Sequence, residues 1–261
     1  MNFQKKEFLL DHIKDTISFY HPRCIDKELG GFIHQFQDDG SIDDTMTKHL
    51  VGTCRFIYIY SISYLTLKNP EYKYEAEQGL KFLREVHQQP DGGFAWLLNG
   101  KQIKDDTRYC YGHAFVLLAA AVATKAQIKG AKEFTSEVYE ILENNFWDKD
   151  SELYVDEMEK GWKNISPYRG QNANMHMCEA MLSAFEATKE KKYLTRANTL
   201  AKRICLDLTK NTNELIWEHF NTDWSPDWDY NKNDPKHMFK PYGYNLGHSI
   251  EWAKLLLILE R

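Results

Sequence analysis

Charge of one sign is scarce: 33 Lys and Arg stand against 38 Asp and Glu in 261 residues, and the two signs are mixed along the chain. There is no basic stripe for a phosphate backbone and no acidic tail for a basic partner, which argues against nucleic acid. Cysteine is also sparse. Cys24, Cys54, Cys110, Cys178 and Cys205 are odd in number and scattered, with no C-x-x-C pair to hold zinc or run redox chemistry. They read as buried thiols in a reducing cytoplasm. Long apolar runs are missing as well: "AFVLLAAAVA" is about half of what spans a bilayer. The N-terminal "MNFQKKEFLLDHIKDT" breaks its apolar residues with charge and lacks the core of a secretion signal. Neither export nor membrane insertion is indicated. No linker rich in Pro, Gly or Ser divides residues 1–261, so a single domain is expected. G-x-S-x-G, phosphate-loop and dinucleotide fingerprints are absent.

What is present is a chain 43% hydrophobic and 14% aromatic, enough for a large core. Amphipathic helices are predicted near 3–20, 71–88, 131–146 and 191–209, each with charge on one face and Leu, Phe or Ile on the other. Between them lie stretches apolar almost all round, near 47–67, 111–128, 173–188 and 247–261. A helix with no polar face belongs inside, and one with a single apolar face belongs outside. The chain therefore reads as all-α, a repeated outer–inner hairpin with long loops and a period of roughly 60–75 residues. The loops echo one another: "GGFIHQF" from Gly30, "GGFAWLL" from Gly92, "ELYVDEM" from Glu152 and "ELIWEHF" from Glu214. Short strands fit there.

Polar side chains on helices that should be buried need a partner or a purpose, because an unpaired one costs a few kcal/mol. They gather near the helix starts: Tyr111 and His113, Asn172 and His176 one turn apart, His248 and Glu251 three apart and so on one face, and Arg55 further into the first inner helix. If all four inner helices begin at one end of a toroid, these groups meet on one concave site. Each has a plainer explanation: His176 as a hydrogen-bonded core histidine, Arg55 as the partner of a wall carboxylate, His248 with Glu251 as a structural pair. "HMCE" and "HSIE" look like fragments of metal sites but lack a third ligand at sensible spacing, so no metal is expected. Asp105 with Asp106, and Asp223 with Asp227, suit hydrolase carboxylates or turn residues equally.

Two long motifs, "YRGQNANMHMCEAMLSAFEAT" (168–188) and "WSPDWDYNKNDPKHMFKPYGYNLGHSIEWAKLLLILE" (224–260), resemble the N-acylglucosamine 2-epimerase superfamily, in particular its mannose isomerase and sulfoquinovose isomerase branch. "KHLVGTCRFIYIYS" (48–61) and "YGHAFVLLAAA" (111–121) support the match. The resemblance implies an (α/α)6 barrel and a cofactor-free aldose–ketose isomerase. Its substrate would be a monosaccharide, mannose-type or sulfonated, opened and carried through an enediol. Carried over by motif, Arg55, Tyr111 and Asn172 bind sugar hydroxyls or the enediolate oxygen and His176 supports that oxygen. His248 is the acid–base group, oriented by Glu251. The family barrel closes with six hairpins and four are legible here. The expectation is an incomplete toroid whose last helix exposes Trp252, Leu255, Leu256 and Leu259. Such an edge implies self-association or a complementing C-terminal chain. A non-catalytic sugar-binding remnant, or one half of a split isomerase, is the alternative to an active enzyme.

Overall fold

The computed structural model describes residues 3–261. Among them are eight α-helices: α1 (Lys6–Tyr20), α2 (Leu50–Leu67), α3 (Pro70–Phe82), α4 (Cys110–Lys125), α5 (Ala131–Asn145), α6 (Gln171–Thr188), α7 (Lys191–Lys202) and α8 (Leu246–Glu260). The even-numbered helices α2, α4, α6 and α8 pack side by side in that order as the inner wall, and α3, α5 and α7 cover α2, α4 and α6 from outside. This is the predicted alternation with one refinement. The tight turns lead from an inner helix to the following outer one, and Lys68, Gly130 and Lys189 reverse the chain there with left-handed backbones. The long loops lead from outer to inner.

The core runs without a break from Cys24 to Leu255. At its centre α4 is buried from Cys110 to Ala123 apart from Tyr111, as its nearly unbroken apolar sequence requires. The 18 residues of α2 are long and apolar enough to cross a membrane, but half are buried inside this fold, against α3 and α4. α8 differs from the other inner helices. Only Trp252 and Leu255 are buried on it, turned toward the core, so these two are not part of an exposed edge. Leu259 packs against the core in part, while Leu246, Ile250, Leu256, Leu257 and Ile258 face outward.

The loops hold five small antiparallel sheets of two or three strands. They carry the sequence echoes, and the echoes clamp neighbouring inner helices together. In each later echo the carbonyl of the fifth residue accepts the first backbone N–H of the preceding inner helix: Leu50 N to Trp96 O (2.9 Å), Cys110 N to Asp156 O (2.8 Å) and Gln171 N to Glu218 O (3.2 Å). These N–H groups have no partner inside their own helix, so the loop answers a need every helix start has. In two echoes the fifth side chain then caps the next inner helix. His34 Nδ1 accepts from His49 N (3.1 Å), and Asp156 Oδ2 accepts from Gly170 N (2.7 Å). A buried cation two residues before α2, α4 and α6 completes the pattern: Lys48, Arg108 and Arg169. Lys48 meets Asp26 at 2.7 Å, and Arg108 grips both oxygens of Asp91 at 2.9 Å.

Candidate active site

The clamps hold the starts of α2, α4 and α6 level, α8 packs beside α6, and equivalent residues of the four inner helices form rings. The sixth residues of α2, α4, α6 and α8 are Arg55, Phe115, His176 and Glu251. One turn on, the ninth are Tyr58, Leu118, Glu179 and Lys254. All eight line one cavity of about 260 Å³, since positions three apart share a helix face. Inside it the Arg55 guanidinium lies 5.0 Å from the Phe115 ring centroid, and the His176 ring packs 4.9 Å from that ring and 5.1 Å from Tyr111. His176 Nδ1 meets Glu179 Oε2 at 3.2 Å, and Lys254 Nζ meets Glu179 Oε1 at 3.3 Å. Burial alone would raise the Glu179 carboxyl; the hydrogen bond and charge of His176, with Lys254, outweigh it and hold Glu179 below its ordinary value. The plainer explanation of His176, a core histidine with a partner, is met in part. It has that partner and it also faces the cavity.

Tyr111 and Asn172, the second residues of α4 and α6, line an adjoining cavity of about 400 Å³ under the 230–240 loop, with Trp96, Asp156, Tyr168 and Lys240. Burial raises the Tyr111 phenol, Arg55 opposes that, and Glu251 and Glu179 add to it, so charges of the first cavity act on a hydroxyl that lines the second. The Asn172 Oδ1 is buried without a hydrogen-bond donor. Tyr168 donates its hydroxyl hydrogen to His219 Nδ1 (2.9 Å), whose Nε2–H goes to Pro241 O (2.7 Å), and Lys240 lies 4.0 Å over the Tyr168 ring while pairing with Glu157. Burial pushes the Asp156 carboxyl up to about 8, against the hydrogen bond from Gly170 and the charge of Lys240.

His248 lines neither cavity. Its Nδ1 lies 2.9 Å from Glu218 Oε2 and 3.0 Å from Gln171 Nε2, and Gln171 Oε1 accepts from Trp252 Nε1 at 2.7 Å. The expected partner, Glu251, makes no hydrogen bond to His248 and turns into the first cavity instead. It acts on His248 only through its charge. Burial would lower the His248 imidazole, but the hydrogen bond and charge of Glu218, then the charge of Glu251, outweigh that and raise it.

Glu179, Lys254, Glu218 and Gln171 escaped the reading of the sequence. Glu218 had a signal, since it is the fifth residue of the fourth echo. Glu179 and Lys254 had another, the register of the helix starts. His113 is structural: it is fully buried, accepting from Phe94 N through Nε2 and donating through Nδ1 to Tyr109 O. Asp105 and Asp223 are turn residues, each accepting the backbone N–H two positions on.

Residues 31–261 match the family described as N-acylglucosamine 2-epimerase (GlcNAc 2-epimerase). The chain belongs to this family. Among members of the N-acylglucosamine 2-epimerase family, a D-mannose isomerase of Marinomonas mediterranea is 51% identical over 261 residues, or 99% of this chain and 66% of the relative. A D-mannose isomerase of Thermobifida fusca is 36% identical over 214 residues, 81% of this chain and 52% of the relative. A crystal structure of D-mannose isomerase matches with a TM-score of 0.97 at 49% identity, covering 100% of this chain and 66% of that one. The fold is thus of the (α/α)6-barrel type, and the chain spans less than two thirds of the length of these relatives.

Proposed function

We propose that this chain carries the substrate-binding and proton-transfer face of an aldose–ketose isomerase for a mannose-type monosaccharide. The observation that carries the reading is the ring of Arg55, Phe115, His176 and Glu251 at one level of four inner helices, next to the unpartnered Asn172 oxygen. A sugar chain presents hydroxyls on several sides and an oxygen that turns anionic in the enediol. Arg55 and Tyr111 supply donors, Asn172 supplies an acceptor for a hydroxyl hydrogen, and His176, held by Glu179, supports the oxygen as charge develops on it. His248 lines neither cavity but stands on α8 about one turn before the cavity residue Glu251; by the family motif it takes the proton from C2 and returns it to C1 as a hydroxyl proton passes from O2 to O1, so the isomerisation balances without a cofactor. Imidazole suits this because it takes and releases a proton near neutral pH. The similarity to D-mannose isomerases over the whole chain supports the substrate class.

We further propose that the enzyme works in the cytoplasm, in keeping with five unpaired cysteines. Its outward α8 face would pack on a complementing C-terminal segment or on a second copy. Incubating the protein with D-mannose in deuterated water should exchange the C2 hydrogen and yield the ketose. His248→Ala should reduce that exchange on the order of 10²–10⁴-fold without loss of helix content. Undiminished exchange in the variant would assign the proton to another group, and saturable binding of the sugar with no exchange would favour the non-catalytic alternative.

A further inference from the structure

We infer that Glu218 is a positioning residue that fixes the tautomer and orientation of His248. Its consequence for turnover rests on the isomerase reading above, whereas the hydrogen-bond assignment stands on geometry. The argument starts at Trp252, whose indole N–H can only donate. It is buried and gives its hydrogen to Gln171 Oε1 at 2.7 Å, which settles which end of the buried Gln171 amide is which. Gln171 Nε2 therefore faces Glu218 Oε2 at 2.9 Å and His248 Nδ1 at 3.0 Å as a donor. Of the three atoms that meet there, only the carboxylate oxygen is purely an acceptor, and it takes hydrogens from Gln171 Nε2 and from His248 Nδ1. A bare Nδ1 would set its lone pair against that oxygen at 2.9 Å. Nδ1 thus carries the hydrogen, and the lone pair of the neutral ring sits on Nε2, which makes no hydrogen bond among the described residues.

The sequence echoes set Glu218 apart from its counterparts. At the same position in their own echoes His34 and Asp156 cap the next inner helix, but α8 is capped by Asn245, whose Oδ1 accepts from Gly247 N (2.9 Å) and His248 N (3.4 Å). The carboxylate of Glu218 is free to reach the imidazole. It is 3% exposed and its Oε1 has no partner. A buried carboxylate with half its acceptor capacity unmet is a poor stabilising device. It suits a neighbour that gains positive charge when it accepts a proton. Besides Glu218, the charge that acts on His248 is that of Glu251. Glu251 is on its own helix. α6 presents Glu179, already engaged by His176 and Lys254, and on α7 Lys192 is paired with Glu140 and Glu190 and Arg196 with Glu143.

The test is nitrogen NMR of the His248 imidazole, with C2-hydrogen exchange from D-mannose followed across pH. Wild type should show the Nδ1–H tautomer above its titration midpoint. Glu218→Gln should move that midpoint to lower pH and slow exchange on the order of 10²-fold with little change in KM. Glu218→Asp, shorter but charged, should restore part of both. An Nε2–H tautomer in wild type, or an unmoved midpoint in Glu218→Gln, overturns the assignment, and the wild-type spectrum decides even if the variant does not fold. The spectra need no turnover. Failure of the isomerase reading would appear separately, as a wild-type protein that exchanges no C2 hydrogen.

Discussion

Asp156 shows how far a single position can depart from its residue type. Its carboxyl is raised by burial from 3.8 to about 8, so at neutral pH the folded protein holds a proton there that the unfolded chain has released. The sign follows from linkage: where the folded state binds more protons, stability falls as pH rises. The contribution of Asp156 is fully present below about 3.8 and is lost as pH climbs through about 8. Asp156→Asn keeps the shape and the acceptor for Gly170 N but has no proton to lose. Its melting temperature should therefore fall less steeply than that of wild type between these limits, a comparison that scanning calorimetry makes directly. An equal fall in the two proteins would mean that Asp156 is ionised in the fold. The same scale explains what the sequence hid. His248 and Glu251 lie three apart on one helix face, which suggested a pair, yet Glu251 turns into the cavity and the partner arrives from a loop thirty residues earlier in the chain. Helical spacing decides which side chains share a face; it does not decide which way each rotamer turns or what a distant loop brings.

Elements were more legible than contacts, because hydrophobic periodicity is a local property. The inner helices fall within about three residues of the expected limits, whereas α3 and α7 end earlier than expected, the chain continuing there as π-helical turns over Leu83–His87 and Arg203–Asp207, and Asn172 and His176 stand one turn apart on α6. Less accessible was the reason the helices stand level. The clamp combines a buried cation just before an inner helix, held by a loop acid at α2 and α4 and by the carbonyls of Ser166 and Tyr168 at α6, with a carbonyl from the next echo, parts that sequence periodicity does not connect. Arg108 tests it: its side chain is fully buried, one guanidinium nitrogen lies 2.9 Å from both Asp91 oxygens, and a second nitrogen holds Asp106 O. Removing one member of such a pair leaves a charge without its partner, so Arg108→Ala should cost about 3–5 kcal/mol in urea unfolding. Arg108→Lys keeps the charge but has no second nitrogen to hold Asp106 O while it meets Asp91, so it should recover only part. The lost alignment should also move Phe115 against Arg55 and His176, weakening sugar binding in the Ala variant at temperatures where it is still folded. A loss below about 1 kcal/mol would reduce the clamp to a surface ion pair.

At the scale of the whole molecule, the two ends of the inner arc are unlike its middle. α4 is almost wholly buried, while α8 leaves Leu246, Ile250 and Leu257 at 79%, 71% and 62% exposure, and α2 leaves Tyr58 and Ile59 partly open at the other end. Covering a large apolar side chain stabilises by about 1.5–3 kcal/mol, against a whole-domain stability of about 5–15 kcal/mol, so these ends should seek cover. The sequence pointed to the right helix but, for Trp252 and Leu255, to the wrong side chains, because an all-apolar helix has no periodicity to say which flank meets α6. The difference separates two variants. Leu257→Glu puts charge on the outward flank and should break self-association in sedimentation at micromolar concentration while leaving the helical spectrum unchanged. Trp252→Ala deletes a buried ring that orders Gln171 and should cost about 3–5 kcal/mol of stability at any concentration. If the outward flank instead receives a complementing segment, adding the last third of a full-length D-mannose isomerase should raise C2-hydrogen exchange in wild type and fail to do so in Leu257→Glu. A wild-type protein that sediments as a monomer, melts cooperatively well above about 50 °C and gains no exchange from that segment would show that four inner helices suffice and that the exposed flank of α8 needs no cover.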